Sequence, residues 1–198
     1  MLWGIKIMNG EVLYEPISLR DLEEITYLYE TYLNSGIIIQ NYLASGMRDA
    51  DYVGLKAVCK DKIVGMVSGR SGIDFTYPHP ELEKEIYDHF VGEVLYTSDA
   101  LIVLQECRHE GISQKLGELF INSLRTKKIE YIVTELWKHI DGTIPALNPV
   151  SKWGTPVYTR EIAGFYDRLS DYGMKCPLCG DNCRCSALVQ VLKINNME

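Results

Sequence analysis

The sequence predicts an α/β fold, a sheet flanked by helices. Three observations predict it. Apolar residues switch repeatedly between strand-like runs and helical spacing along the chain. An apolar strand at 94–104 breaks into a short glycine-containing turn and launches a helix with a clear buried stripe. With 198 residues, 46% of them hydrophobic and 24% charged, the chain suits one full-sized domain spanning 1–198 and leaves little for a second.

Residues 11–17 alternate in part and read as a first strand. Ser18-Leu-Arg-Asp21 then has the capping-box pattern, and Leu19, Leu22, Ile25, Leu28, Tyr29, Tyr32 and Leu33 recur at helical spacing until Asn34-Ser-Gly36. A shorter helix is expected within 37–43. Strand-like runs at 52–59 and 63–68 flank Lys60-Asp-Lys62, which predicts a hairpin. Residues 69–92 read as an insertion: a Gly/Ser/Asp loop, Pro78-His-Pro80, then a helix with Leu82, Ile86 and Phe90 on one face. Strand 94–104 follows, then a helix with Ile112, Leu116, Leu119, Phe120 and Leu124 as its stripe, ending near Arg125-Thr-Lys-Lys128. Residues 129–137 form the next strand, and a Pro/Gly-rich loop at 139–156 is long enough to cover something. Thr159 is expected to cap a last helix carrying Ile162, Phe165, Tyr166 and Leu169, before a final strand at 186–194.

The turn Arg108-His-Glu-Gly111-Ile-Ser113 carries the chemistry. A turn feeding a helix leaves the first N–H groups without intrahelical partners, and the macrodipole favours anions there by about 0.3–1 kcal/mol. Arg108 can fork two phosphate oxygens, and Gly111 removes a Cβ from the approach of a pyrophosphate. No Lys-Ser/Thr pair follows as in a Walker loop, and no Gly-x-Gly-x-x-Gly is present.

This stretch resembles the signature of the Gcn5-related N-acetyltransferase (GNAT) superfamily, Leu-x-Val-x-Pro-x-x-Arg/Gln-x-x-Gly-x-Gly/Ala. Leu101, Val103, Arg108 and Gly111 match it, Gln105 stands where proline is usual, and Ser113 replaces the last small residue. The expected element order also resembles that of the family. The resemblance implies a GNAT-like acyl-CoA N-acyltransferase fold, a mixed central sheet of about seven strands flanked by helices, and acetyl-CoA as co-substrate. It implies a pyrophosphate bound by Arg108, His109, Glu110, Gly111, Ile112 and Ser113, mostly through backbone N–H groups. It implies pantetheine lying along Leu101, Ile102 and Val103, where the strand splays from its neighbour.

The activity implied is N-acetyl transfer to an amine of a small molecule or peptide, by direct attack in a ternary complex. A lysine-like amine with a pKa of about 10.4 is neutral in roughly one molecule in a few thousand at pH 7, so a base or a desolvating pocket must assist. Tyr166 is the candidate general acid for the departing thiolate. Thr159 and Ile162 stand where the family has asparagine and alanine, and a buried aromatic on the apolar stripe is the other reading of Tyr166. Asp99, two residues before Leu101 and expected on the same strand face, is the candidate base. Glu93, Glu135 or a held water are alternatives, and an ordinary strand aspartate facing solvent or an arginine is the plain reading. The same residues also suit a non-catalytic acyl-CoA-binding sensor or interaction module. Acceptor choice should lie in 37–48, 69–92 and 139–156, with Trp137, Trp153 and Tyr158 as possible pocket walls.

Six cysteines are not spread as disulfide staples. Cys176, Cys179, Cys183 and Cys185 crowd into one loop at 176–185, a pattern that in a reducing compartment favours structural zinc. A redox dithiol and free thiols are the other readings. Net charge is -7 with scattered basic residues, which removes the electrostatic footprint for nucleic acid or an anionic membrane and suits cationic acceptors such as amines. No apolar run reaches bilayer-spanning length, and segment 1–6 lacks a signal-peptide layout, so the expectation is a cytoplasmic protein. The final strand and exposed aromatics permit a homodimer.

Overall fold

The computed structural model describes residues 11–195; the segment 1–6 lies outside them. A seven-stranded sheet runs in the order β1-β2-β3-β4-β5-β7-β6. Its strands are β1 (Leu13–Pro16), β2 (Val53–Cys59), β3 (Lys62–Ser71), β4 (Leu95–Val103), β5 (Tyr131–Lys138), β6 (Gly154–Ile162) and β7 (Ser186–Ile194). All neighbours are antiparallel except β4 and β5, which are parallel.

The helices are α1 (Leu22–Tyr32), α2 (Ile39–Gly46), α3 (Pro80–His89), α4 (Ile112–Thr126) and α5 (Leu147–Val150). Before α1, the Ser18 N–H donates to Asp21 Oδ2 at 2.8 Å, the reciprocal half of a capping box. Lys60 and Asp61 both adopt positive φ, the mirror-image turn that matches strand twist in a two-residue hairpin.

The sheet separates two cores. Ile25, Leu28 and Tyr29 of α1, Ile39 and Leu43 of α2, and Leu82 and Ile86 of α3 bury one face. Leu116, Phe120 and Leu124 of α4 bury the other together with Val150 and Trp153. Gly117 lets Trp153 lie against α4: a Cβ there would sit 2.3 Å from the indole Nε1.

The helix expected from Thr159 does not form. Residues up to Ile162 belong to β6, turns follow with Gly164 at positive φ, and Leu169–Tyr172 makes a 3-10 turn. β6 is an edge strand with one buried residue, Gly154, so it shows no apolar alternation. The helical spacing of Phe165, Tyr166 and Leu169 comes from consecutive turns that all point into the core.

Candidate active site

β4 and β5 pair over only four positions, Leu95 to Ser98 against Tyr131 to Thr134. Beyond Ser98 and Thr134, β4 follows β3 as far as the Val103–Gly65 pair, while β5 follows β7 to its end. The two strands therefore diverge and leave facing backbone edges open. A cleft of about 920 Å³ fills the gap and is bordered by Leu101, Ile102 and Val103 on one side and by Glu135, Leu136 and Trp137 on the other.

At one end the cleft meets the start of α4. Gly111 caps the helix with φ +78° and His109 has φ +68°, so the turn doubles back through two left-handed residues. Lys115 N–H makes the first intrahelical bond, to the Gly111 carbonyl oxygen at 3.0 Å, leaving the preceding amides at the helix start. Arg108 is held beside the cleft by donating from Nε to the Val103 carbonyl oxygen at 3.2 Å and by lying 5.3 Å from the Tyr32 ring centroid. Arg108, His109, Gly111, Ile112 and Ser113 all border the cleft. Glu110 does not; it is exposed at the crest between the two left-handed residues.

The other end is lined by Tyr29, Tyr42, Asp74, Thr76, Asp99, Glu135 and Tyr166. Asp99 is not on the face of Leu101. The β3–β4 register pairs Ser68 with Ala100 and Gly69 with Ser98, which makes Asp99 the unpaired residue of a bulge. The bulge turns it toward Arg70, whose guanidinium stands 3.4 Å from Asp99 Oδ2, 3.1 Å from Asp74 Oδ2 and 4.4 Å over the Tyr42 ring. The Asp99 side chain is 1% exposed, and its Oδ1 is buried without a hydrogen-bond partner among the described residues. Burial pushes its carboxyl up to about 7 against the pull of Arg70.

Glu135 is differently placed. Its carboxylate accepts the Thr76 N–H at 2.8 Å, the Thr76 hydroxyl at 2.6 Å and the Tyr166 hydroxyl. Burial raises its pKa too, with those bonds opposing. Tyr166 lies in a turn rather than on a helix and is buried, its ring 6.3 Å from Trp137. Burial, then the Glu135 charge, hold its hydroxyl firmly protonated.

Glu93 is exposed before β4, away from the cleft. Trp137 borders the cleft, whereas Trp153 is sealed into the α4 core and Tyr158 hydrogen-bonds Glu85 at 2.9 Å. The three segments 37–48, 69–92 and 139–156 all border the cleft, through Tyr42, through Asp74 and Thr76, and through His139, Pro145 and Lys152 among others.

The four clustered cysteines converge, with ligand atoms all within 4.8 Å of one another. A tetrahedral zinc with Zn–S near 2.3 Å requires sulfurs about 3.8 Å apart. Cys179 and Cys185 stand 3.7 Å apart, and the Cys179 N–H donates to Cys176 Sγ at 3.4 Å. Cys176 and Gly180 exchange backbone bonds at 3.2 and 2.9 Å, with Gly180 at φ +70°, closing a tight knuckle. The donor set and its spacing fit a tetrathiolate metal.

No family model and no curated protein matches the chain by sequence. Solved structures do match by shape. Arabidopsis thaliana NAA60 in complex with acetyl-CoA superposes with TM-score 0.65 at 18% identity, over 94% of this chain and all of that one. The chain has the GNAT fold. The same fold relates it to a chain of the NatC complex bound to Gag peptide and CoA, at TM-score 0.63 and 17% identity over 93% and 99% of the two chains. It also relates it to the ribosomal-protein-S18-alanine N-acetyltransferase from Escherichia coli, at TM-score 0.60 and 12% identity over 95% and 97%. On this GNAT frame, sequence reading located the turn and the open strand but missed the Asp99 bulge and the Thr76–Glu135–Tyr166 chain. No local signal marks a bulge, and Thr76 meets Glu135 from 59 positions away.

Proposed function

We propose that this protein is an acetyl-CoA-dependent N-acetyltransferase acting on an amine of a small molecule or peptide. The observation that carries the reading is the divergence of β4 and β5 at Ser98 and Thr134, with a positively polarised helix start at the mouth of the gap. Phosphates rest at Arg108, Gly111, Ile112 and Ser113. Pantetheine lies along the open edge of Leu101, Ile102 and Val103, which offers it strand-like hydrogen bonds.

The acetyl end then reaches the carboxylates and aromatics of the far end, which suit a cationic amine. Asp99 takes the amine proton through its free Oδ1, directly or through a water; Glu135, already bonded by Thr76 and Tyr166, is the poorer base and positions Tyr166. The neutral amine attacks the thioester carbonyl, the C–S bond breaks as Tyr166 gives its proton to the leaving sulfur, and the second amine proton, released as the amide forms, returns to the Tyr166 oxygen. Holding both partners in one cleft supplies much of the rate. The neighbours named for a bound Gag peptide and for ribosomal protein S18 alanine make peptide amines the first acceptors to try. Zinc in the cluster of Cys176, Cys179, Cys183 and Cys185 belongs to the same proposal as a structural ion.

The test is release of free thiol from acetyl-CoA in the presence of a panel of peptide and small-molecule amines. Amine-dependent release supports the enzyme. Tight cofactor binding with no release for any amine makes the protein an acyl-CoA-binding module instead.

A further inference from the structure

The cysteine knuckle borders the cleft through Pro177 and Leu178, and two connections tie it to other cleft residues. The segment joining α1 and α2 pairs with the residue before the first cysteine: Ser35 N–H donates to the Lys175 carbonyl at 3.1 Å, and Lys175 N–H to the Ser35 carbonyl at 2.8 Å. The two backbones touch so closely that a Cβ on Gly36 would lie 2.3 Å from the Gly173 carbonyl oxygen. Leu33 and Asn34 on one side of this seam and Pro177 and Leu178 on the other all border the cleft. The second connection is Trp137, a cleft residue of β5 that hydrogen-bonds Cys185.

Between Ile162 and Ser186 the only helical or strand element is the Leu169–Tyr172 turn. Phe165, Tyr166, Leu169 and Met174 anchor the first part of this stretch in the core, and Cys176, Cys183 and Cys185 are the buried groups that anchor the rest. A divalent ion held by Cys176, Cys179, Cys183 and Cys185 joins four chain positions into one unit, and its loss frees all four together. The knuckle also holds Leu178, 60% exposed, at the cleft rim.

We infer that metal binding by these four thiolates builds the acceptor wall of the cleft, through Pro177, Leu178 and the Ser35–Lys175 seam, and leaves the acetyl-CoA end unaffected. The inference rests on the zinc and acetyl-CoA readings above. It makes the cysteine cluster a determinant of acceptor binding rather than a remote staple.

The experiment compares the full chain as purified without chelator, after zinc removal, and after zinc add-back. It uses elemental analysis, amide hydrogen exchange and acetyl-CoA binding. The expected result is about one zinc per chain. Removal should accelerate exchange at 33–36 and 174–180 by at least about tenfold, reversibly, with 101–116 unchanged and acetyl-CoA affinity within about twofold. Gly36→Ala, which wedges the seam without touching a thiol, should keep its zinc and still loosen 33–36.

Less than about a tenth of an equivalent of zinc overturns the metal reading and the inference with it. A full equivalent whose removal leaves 33–36 unchanged overturns the inference alone. Loss of acetyl-CoA binding together with zinc also overturns it, because the metal would then support the whole domain. Zinc-loaded protein that never binds acetyl-CoA removes instead the cofactor reading on which the inference depends.

Discussion

Ser98 and Thr134 form the last pair of the parallel ladder between β4 and β5, and every residue beyond them on either strand borders a cleft or a different neighbour. One interrupted ladder thus leaves a backbone edge open and delivers β4 to the turn at Gly111. Asp99 bulges out immediately after Ser98, and Glu135 immediately follows Thr134, so the point of divergence also sets both buried carboxylates.

Tyr166→Phe removes the hydroxyl and keeps the ring. With Tyr166 in its proposed role as general acid, turnover should fall by at least about tenfold while acetyl-CoA affinity stays the same, because that role concerns the leaving sulfur and not cofactor binding. Steady-state rates beside a cofactor titration check this. Unchanged turnover would return Tyr166 to the role of a packed aromatic.

Asp99 couples stability to pH and, in its proposed role as base, the rate as well. Burial raises its pKa from 3.8 to about 7 despite Arg70, with Asp74, Tyr29, Tyr42, Tyr52 and Tyr96 as the other titratable groups around it. The folded state therefore binds this proton more tightly than the unfolded chain. Its contribution to stability is complete below about pH 4 and is lost as pH rises through about 7. Asp99→Asn should gain stability relative to wild type by about 2 kcal/mol between pH 5 and pH 7.5 in urea titrations. The same change should abolish the rise of kcat/KM through about pH 7 that a general base there produces. Parallel stability curves, or an unaltered rate profile, would count against this carboxyl.

Gly111→Ala tests the turn itself. A Cβ there meets nothing within 4 Å, so space is not the obstacle; φ +78° is. The left-handed conformation costs an alanine about 1–2 kcal/mol, and acetyl-CoA affinity should drop roughly tenfold as the turn relaxes. Calorimetric titration reads this directly.

Gly117→Ala sets helix propensity against packing. Alanine gains up to about 1 kcal/mol in a helix interior, but the collision with the buried Trp153 indole costs about 1–3 kcal/mol. The variant should be less stable by about 1 kcal/mol in chemical denaturation. A stabilised variant would show that Trp153 moves aside freely.

Much of this molecule was legible in its sequence because local physics set it. The α4 stripe, the Lys60–Asp61 hairpin, helix α3 and the β7 bounds all follow from periodicity and turn chemistry. The readings that failed depended on distant partners. β6 was hidden because an edge strand need not alternate, and the turns after it mimic helical spacing around Phe165 and Tyr166. Asp99 was assigned to the wrong face because one extra residue in a strand reverses the alternation and leaves no trace in composition. The cysteine cluster was visible as a pattern, but its seam with Ser35 joins segments 140 positions apart (175 − 35).

The most direct measurement of the central claim is native mass spectrometry of the full chain with acetyl-CoA, beside a variant carrying Arg108→Glu and Gly111→Asp. The account predicts a one-to-one adduct in the wild type and none in the variant, whose added carboxylates repel the phosphates where the helix start attracts them. Equal binding by both proteins, or by neither, would contradict it, and the turn at Gly111 would then be a structural feature of the fold with no cofactor to hold.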